Sequence, residues 1–311
     1  MGMVCLPPAM PSRCTVLLLA LACACACWGP RAAAYTKPDQ LQIITAFRDA
    51  MLARPVHTNW AKALATWTCP TNPATSVGGT CDPCGQLVWG NWDHVGCRGE
   101  RVTYTKEKVP GDGTINHIHI TDMLIEGPVP LAELCPLTGL VEFDVDGGDL
   151  TGTIPSGFAA CYPQLVEIDL SYNRLTGTLP PEIADVKTLE QFKVEDNSLS
   201  GTIPAEYGNM ATVNWLRFAD NNFTGSIPAS LANTAQHMSQ LTLDGNDFEG
   251  DLYALSDHSM INFNAANNPR ICGMVPVGLR FAHGFNYANS GLGLPCPEEA
   301  ANGWVDLSET L

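Results

Sequence analysis

The chain has 311 residues, a length that suggests about two domains. Acidic residues outnumber basic ones by 32 to 16, which gives a formal net charge of −16. This balance argues against a nucleic-acid-binding protein, since such a protein needs a basic face. Only 15% of the residues are charged and 45% are hydrophobic, so the composition also excludes a disordered chain.

Residues 1–34 have the pattern of a secretory signal peptide. An apolar run at residues 16–28 follows Arg13, and three alanines at residues 32–34 form a small-residue cleavage site. The run is shorter than the roughly 18–20 residues of a membrane-spanning helix, which disfavours an uncleaved anchor. Removal of Arg13 and Arg31 leaves 14 basic and 32 acidic residues, a net charge of −18. No later segment is apolar enough to span a membrane, so we expect a secreted protein of the extracellular space, in a cell wall or an apoplast-like compartment.

Residues 35–112 are predicted to form an N-terminal cap. Apolar side chains recur at helical spacing in two segments, the first ended by Pro55 and the second by Cys69-Pro70. These apolar positions are Leu41, Ile44, Phe47 and Met51 in the first segment, and Trp60, Leu64 and Trp67 in the second. We expect these side chains to cover the apolar end of the structure that follows.

Residues 113–276 contain seven copies of one repeat. The motif G-x-[IVL]-P recurs from Gly127 to Gly273, with a copy at Gly250 that lacks the proline, at steps of 23–25 residues. Upstream lies the pattern L-x-x-L-x-L-x-x-N-x-L, as in residues 165–175. This is the leucine-rich repeat, in which each copy adds one short strand with one buried face to a parallel sheet. The asparagine is expected to bond backbone groups of adjacent coils, and seven stacked coils share one apolar core.

The amino-acid sequences of the repeats and of the segments that flank them resemble one class of leucine-rich-repeat protein. Residues 173–180 read N-R-L-T-G-T-L-P, close to the plant-type pattern N-x-L-T-G-x-I-P. The segments D-P-C at residues 82–84 and V-G-C at residues 95–97 are similar to the amino-terminal cap of that class. Residues 268–273 and 291–296 are similar to its carboxy-terminal cap, although one cysteine of the second element is missing.

The chain therefore resembles plant-type extracellular leucine-rich-repeat proteins, which include receptor-kinase ectodomains, receptor-like proteins and secreted polygalacturonase inhibitors. The resemblance covers about residues 35–297. It implies an α/β repeat solenoid, a curved, right-handed leucine-rich-repeat horseshoe with a helical, disulfide-stapled N-terminal cap. Residues 277–297 would form a C-terminal cap, and residues 298–311 an acidic tail.

Eight cysteines lie outside the signal peptide, an even number that predicts disulfides in an exported chain. They are Cys69, Cys81, Cys84, Cys97, Cys135, Cys161, Cys272 and Cys296. The cap resemblance implies a bond between Cys84 and Cys97, and Cys69 and Cys81 then remain as a pair. Zinc or redox chemistry is the alternative for the C-x-x-C at residues 81–84, but the export signal disfavours it.

Two further pairs are predicted beyond the N-terminal cap. Cys135 and Cys161 follow consecutive repeat glycines by eight and nine residues, so they lie one coil apart and within disulfide reach. Cys272 and Cys296 would close the far end of the solenoid.

The outward positions of the repeat strands form rows in which side chains of successive coils are neighbours about 4.8 Å apart. We call the surface that these side chains form the concave face. Four carboxylates occupy two adjacent rows, and we call them the acidic block: Glu142, Asp144, Glu167 and Asp169. His117 and His119 flank the block on one side, and Lys193 and Arg217 flank it on the other.

Two interpretations of the acidic block are open. One is a solvated polar face whose basic flanks offset the acids. The other is a binding surface, since like-charged neighbours repel and a cationic peptide or a hydrated divalent ion would relieve the repulsion. Trp215 beside Arg217 resembles a stacking-plus-charge contact for a peptide or a sugar ring. The predicted partner-binding residues are Glu142, Asp144, Glu167, Asp169, Tyr172, Lys193, Trp215 and Arg217, and His117 and His119 are weak candidates for a metal site.

We predict a non-enzymatic secreted protein, without a cofactor, that binds an extracellular protein, peptide or glycan as a monomer or weak dimer. The alternative is a structural component of a cell wall or extracellular matrix. A glycan-acting enzyme ranks third, because the paired carboxylates lie on an open sheet with no predicted cleft. Asn222-Phe-Thr224 is the only N-x-[ST] sequon in the chain, and we expect a glycan on Asn222.

Overall fold

The computed structural model describes residues 38–52, 95–97, 101–102, 108–109, 115–121, 126–234, 238–256, 260–282 and 284–297. The predicted signal peptide, the second cap helix and the acidic tail lie outside these residues. So do Cys69, Cys81 and Cys84, and the two cap disulfides therefore stay predictions. Within the described ranges, no helix is both long and apolar enough to cross a membrane.

The first cap helix is present as predicted. Helix α1 (Pro38–Leu52) buries Ile44 and Phe47, two of the apolar positions that share one helical face. It packs against α2 (Leu131–Leu134), the short helix of the first repeat coil. A second covering element, β1 (Val95–Cys97), pairs antiparallel with the first repeat strand. The cap thus shields the end of the solenoid core.

Each of the seven predicted repeats contributes one strand to an eight-stranded sheet that begins with β1. The repeat strands are β4 (Ile115–His119), β6 (Glu142–Asp144), β8 (Glu167–Asp169), β10 (Gln191–Lys193), β12 (Trp215–Arg217), β14 (Gln240–Thr242) and β16 (Asn262–Asn264). They pair in parallel in chain order and without register shifts. In each three-residue repeat strand the central side chain is fully buried, as is Ile118 of β4, and the residues on either side of it lie on the outward side of the sheet.

The rest of each coil returns through a short flanking strand and a helical turn. The flanking strands are β5 (Glu126–Gly127), β7 (Asp149–Leu150), β9 (Thr176–Gly177), β11 (Ser198–Gly201), β13 (Asn222–Ser226), β15 (Asp247–Gly250) and β17 (Arg270–Ile271). Two more strands, β2 (Arg101–Val102) and β3 (Lys108–Val109), form an antiparallel pair in the cap. The helical turns after α2 are α3 (Phe158–Cys161), η1 (Pro181–Asp185), η2 (Ala205–Asn209), η3 (Ala229–Asn233), η4 (Tyr253–Leu255) and η5 (Val277–Phe281).

The repeat glycine is required where the chain enters this return path. Gly177 has a φ of +83°, and a Cβ there would lie 2.8 Å from Cγ2 of Thr153 in the preceding coil. A left-handed backbone and a close approach therefore both exclude a side chain. This explains the constant glycine of the G-x-[IVL]-P motif.

The repeat asparagine links the coils, as predicted. Asn221 accepts a hydrogen bond from the Leu199 amide at 2.9 Å and donates to the Val194 carbonyl at 2.9 Å, both in the preceding coil. Equivalent bonds recur at Asn173, Asn197, Asn246 and Asn268. Because these buried backbone groups lie where the chain leaves the sheet, the amide satisfies hydrogen bonds that the ladder cannot.

Two of the predicted disulfides are present. Cys135 follows α2 and bonds to Cys161 at the end of α3, with 4.8 Å between the Cα atoms. This bond staples the helical sides of two adjacent coils. Cys272 bonds to Cys296 with a Cα separation of 5.0 Å and closes the C-terminal end.

Candidate binding surface on the concave face

The structure brings the predicted partner-binding residues together on one surface. The acidic block lies on the adjacent strands β6 and β8, where Glu142 pairs in register with Glu167, and Asp144 with Asp169. Strands β10 and β12 continue the same rows with Lys193, Trp215 and Arg217, and Tyr172 follows β8. The register therefore confirms the two rows that the repeat spacing predicts.

Two histidines compensate the first half of the acidic block. Nε2 of His119 lies 3.0 Å from Glu142 Oε2, and its Nδ1 lies 3.3 Å from Asp144 Oδ2. Nε2 of His117 lies 3.2 Å from Glu142 Oε1. The hydrogen bonds to Asp144 and Glu142 raise the pKa of His119 to about 9, because both ring nitrogens then act as donors. The bonds from His117 and His119 lower the pKa of Glu142 to about 2.

Lys193 compensates the second half. Its Nζ contacts Oε1 of Glu167 and lies 3.2 Å from Oδ2 of Asp169. The Lys193 side chain is only 12% exposed, so water screens these contacts poorly. Burial opposes the charge of Lys193, but the hydrogen bond to Glu167 and the charge of Asp169 outweigh it and raise its pKa.

The acidic block is therefore paired within the sheet. Of the two interpretations that the sequence leaves open, these ion pairs favour the first, in which the basic flanks offset the acids, over a block of mutually repelling carboxylates. Each carboxylate has a basic partner in a neighbouring row position, because the flanking bases reach inward over the acids. The sheet thus holds these charges in fixed positions without a partner molecule.

Trp215 and Arg217 lie together, as the sequence predicts. The Arg217 guanidinium carbon is 5.2 Å from the Trp215 ring centroid, and Nζ of Lys193 is 5.4 Å from it. Nε1 of Trp215 donates to Oγ of Ser239 at 3.2 Å, which fixes the ring. Arg217 also contacts Glu195 Oε1 at 3.3 Å. The half-buried ring thus presents a held aromatic surface beside two cations.

Three further carboxylates on this surface were not among the predicted contact residues. We call Asp196, Asp220 and Asp244 the open triad, because among the described residues they form no ion pair. Burial and then Asp220 raise the pKa of Asp196, and burial and then Asp220 raise that of Asp244. The signal for the triad was already in the repeat rows, where the lateral neighbours are tyrosine, alanine, glycine or further acids rather than bases.

The histidines gain no support as metal ligands. Nε2 of His117 and both ring nitrogens of His119 already contact carboxylate oxygens of Glu142 or Asp144, at distances between 3.0 and 3.3 Å. No group of three or more histidine, cysteine, aspartate or glutamate residues in the described part of the chain has an arrangement that could hold a metal ion.

Asn222 lies away from this surface. It opens the flanking strand β13, and its side chain is exposed. A glycan there would extend from the flank and leave the rows of the concave face accessible. The glycan itself stays a prediction.

Comparisons with known proteins agree with this architecture. Residues 164–186 match the family model of the leucine-rich repeat. The structure of a Pollen Receptor Kinase 3 shares 27% identity and a TM-score of 0.51, over 62% of this chain and 84% of that chain. The plant peptide hormone receptor RGFR1 in complex with RGF2 shares 24% identity and a TM-score of 0.53, over 58% of this chain and 29% of the receptor chain. The BIR3–SERK2 complex from Arabidopsis thaliana shares 25% identity and a TM-score of 0.49, over 66% and 93% of the respective chains.

None of the curated proteins compared with the chain matches it. The solved structures nevertheless show a leucine-rich-repeat fold, and the chain resembles plant extracellular proteins of this kind. It spans less than a third of the hormone receptor, so the likeness to that receptor is a likeness to one part of it.

Proposed function

We propose that this chain is a secreted, non-enzymatic leucine-rich-repeat protein that binds an extracellular protein or peptide through its concave face. The observation that supports this most is the surface around Trp215, where an aromatic ring and charged side chains are held on the outward side of one rigid sheet. Held side chains lose little conformational entropy when a partner binds, so such a surface favours recognition. RGFR1, which has the same fold, is a peptide hormone receptor in complex with RGF2.

The predicted contact residues take different roles in this proposal. Tyr172 is 52% exposed, and with Trp215 it offers aromatic area to a partner. Arg217 and Lys193 are tied to Glu195 and to the acidic block, so their charges are fixed in place. The acidic block then acts mainly by positioning these bases.

The same contacts weigh against the acidic block as the pair of catalytic carboxylates of a glycan-acting enzyme. A general acid of a glycosidase needs a carboxyl whose pKa is raised. The bonds from His117 and His119 instead lower the pKa of Glu142 to about 2, so this carboxyl stays ionised. The carboxylates of Glu167 and Asp169 are likewise occupied by Lys193.

A capture experiment tests the proposed function. Immobilised mature chain, residues 35–311, is incubated with extracellular fluid of the source, and retained proteins are identified by mass spectrometry over a concentration series. The concave-face variant Trp215→Ala/Arg217→Gln is compared with Glu182→Gln/Glu206→Gln, which changes exposed acids on the helical side of the coils. We expect saturable capture of one partner that the concave-face variant loses and the helical-side variant keeps. Capture that survives in both variants would contradict binding through this face.

A further inference from the structure

The two ends of the solenoid differ in how their cores are covered. At the N-terminal end, α1 and β1 lie against the first coil. At the C-terminal end, the chain forms an eighth, partial coil, in which Asn286 pairs in parallel with Asn264 of β16. Asn267 and Asn289 both have a left-handed backbone, and both pairs of asparagines are 22 residues apart, so the eighth coil repeats the seventh at that step. Among the described residues, no ninth coil follows it.

The inward side chains of the eighth coil are partly exposed at this end. Phe285 stacks on Phe263 of the seventh coil with 6.0 Å between ring centroids, and the ring of Tyr287 lies 5.0 Å from that of Phe285. By the step of 22 residues, Tyr287 occupies the position of Ala265, which is fully buried, but Tyr287 is 41% exposed. Leu294, farther along the coil, is 64% exposed. An uncovered apolar end of this kind is what the terminal caps of repeat proteins shield from water.

The neighbouring edge of the seventh coil is also apolar. Met274 and Val277 are both more than half exposed. The Gly273 amide donates a hydrogen bond to the Leu294 carbonyl at 2.6 Å, so Leu294 lies next to the start of this edge. We call Met274, Val277, Tyr287 and Leu294 the end patch. Coils three to five have small or polar residues at the two equivalent positions of the edge: Thr178, Thr202 and Ser226 for the first, and Pro181, Ala205 and Ala229 for the second.

The chain continues directly from the end patch. The disulfide between Cys272 and Cys296 fixes Pro297, the last described residue, beside the start of the apolar edge. A further step of 22 residues from η5 (Val277–Phe281) leads to residues 299–303, so the coil period directs the following segment along η5. Residues 298–311, which we call the C-terminal segment, contain four large apolar side chains: Trp304, Val305, Leu307 and Leu311.

The charge of the C-terminal segment complements that of the end patch. Arg280 on η5 is exposed, and the ion pairs of the described residues include none with it. The segment has no base and four acids, which are Glu298, Glu299, Asp306 and Glu309. Acidic and apolar side chains together match an apolar edge that carries an exposed cation. A second copy of the end patch is a poorer match, because it would bring the same cation rather than an acid.

We propose that the C-terminal segment docks on the end patch of its own chain. Trp304 and Leu307 cover the apolar side chains of the patch, and the acids of the segment face Arg280. This docking completes the cap that residues 277–297 begin, and it removes an apolar surface through which two copies would otherwise associate. The proposal does not depend on the proposed function, because the end patch lies outside the rows of Trp215 and Arg217.

Photocrosslinking within the secreted chain, residues 35–311, tests the proposal. p-Benzoylphenylalanine replaces Trp304, since it keeps an aromatic side chain and links to the C–H groups that it contacts. Mass spectrometry identifies the linked peptides, and a mixture of isotopically labelled and unlabelled protein separates links within one chain from links between chains. We expect links within one chain to peptides that contain Met274, Val277 or Leu294, with a yield that does not change with protein concentration.

A patch variant and a matched control sharpen the experiment. Met274→Thr/Val277→Ala installs the residues that coil four has at these positions, so the variant is expected to fold. It removes apolar area that the segment would bury, and the yield of these links should fall roughly tenfold. Tyr172→Ala shortens an exposed side chain on the concave face and should leave the yield unchanged. Links to another surface, an absence of links, or links between chains that rise with concentration would each overturn the proposal.

Oxidation of Met274 provides a second measurement without the photoreactive residue. Met210, Met238 and Met260 are buried, so among these four methionines dilute peroxide should act on Met274 first. Trp304→Ser/Leu307→Ser uncovers Met274 and should raise the rate of its sulfoxide formation several-fold, whereas Tyr172→Ala should not change the rate. Equal oxidation rates in the unaltered chain and in the segment variant would contradict docking.

Discussion

The concave face has a paired half, which carries the acidic block, and an open half, which carries the open triad. Both halves have carboxylates on the same sheet, and they differ in the side chains that lie beside those carboxylates in the neighbouring coils. Glu167 and Asp169 each lie against Lys193, one coil away, whereas Asp220 has Asp196 and Gly245 beside it. In a stacked sheet the next coil decides whether an acid is paired, because side chains at equal positions are about 4.8 Å apart. A run of acids along the sequence is therefore no measure of free charge on the surface.

Removal of the Lys193 charge should change stability most, because it leaves two carboxylates of the paired half without a cation, as in the open half. Lys193→Met leaves Glu167 and Asp169, both less than a fifth exposed, without their cation. We expect the free energy of unfolding to fall by about 2–4 kcal/mol, measured by urea denaturation. Lys187→Met is the control, since Lys187 is 65% exposed and 3.7 Å from Asp185, and it should have almost no effect.

A neutral version of the same half sharpens this test. Lys193→Met combined with Glu167→Gln and Asp169→Asn removes all three charges and should recover most of the stability that the single change loses. If the single change and the triple change are equally destabilising, the loss comes from packing of the lysine stem rather than from unpaired charge. For the same reason, Asp144→Asn/Asp169→Asn should lower the melting temperature, although a freely repelling block would predict a rise.

The paired half should also make stability depend on pH in two windows. The pKa of His119 is raised from 6.5 to about 9, so its contribution is complete below pH 6.5 and is lost as pH rises through 9. The pKa of Glu142 is lowered from 4.5 to about 2, so its contribution is complete above pH 4.5 and is lost as pH falls through 2. Both are present between pH 4.5 and 6.5, where the free energy of unfolding should be highest.

Urea denaturation across this pH range measures the effect, and His119→Gln provides the comparison. In this variant the free energy of unfolding should no longer decline between pH 6.5 and 9, because glutamine does not titrate. A decline of the same size in the variant would assign it to another group. The side chain of His119 is 43% exposed, so the effect should shrink with added salt.

The open half should respond in the opposite direction. Asp196→Asn/Asp220→Asn relieves repulsion and places a better residue at two left-handed positions, so it should stabilise the chain by a few tenths of a kcal/mol after solvent screening. Thermal unfolding at low salt is the most sensitive measurement. A lower melting temperature would show that these aspartates make contacts that stabilise the chain by more than their mutual repulsion destabilises it.

The smallest effect on stability and binding is expected for a change on the flanking strand β13, which lies away from the concave face. Asn222→Gln should remove one glycan from protein secreted by a eukaryotic host, as seen by the mass change on deglycosylation, and leave stability and partner binding unchanged. The exposed position of Asn222 at the start of β13, away from the concave face, is the reason. An unmodified Asn222 in secreted material would contradict the predicted glycan.

Much of the architecture followed from short-range patterns. The spacing of Leu41 to Met51 predicted α1, and the repeat period predicted the seven strands, their register and the pairing of Cys135 with Cys161. The role of Asn221 between coils was also predicted correctly. These features depend on backbone periodicity and glycine positions, which are local properties of the repeat.

The candidate site was predicted less completely. The rows placed Trp215 beside Arg217 correctly, but they left open whether the carboxylates of the acidic block repel one another or are offset by their basic flanks. The pattern also placed Asp196 and Asp220 in a row without identifying them as the unpaired acids. A row assignment gives the neighbour of each side chain but not the direction in which a long lysine or histidine reaches.

By itself, the sequence determined the coil, its period, the buried face of each strand and the order of residues along the concave face, because stacking repeats that differ little in length admits one register. Only the tertiary structure decided which charges neutralise one another. Lys193 bridges two acids of the preceding coil, and His119 contacts two acids of the following one, so ion pairing depends on side-chain reach and burial across coils. Electrostatic energy falls with distance and with solvent screening, and both quantities are set between coils rather than within them.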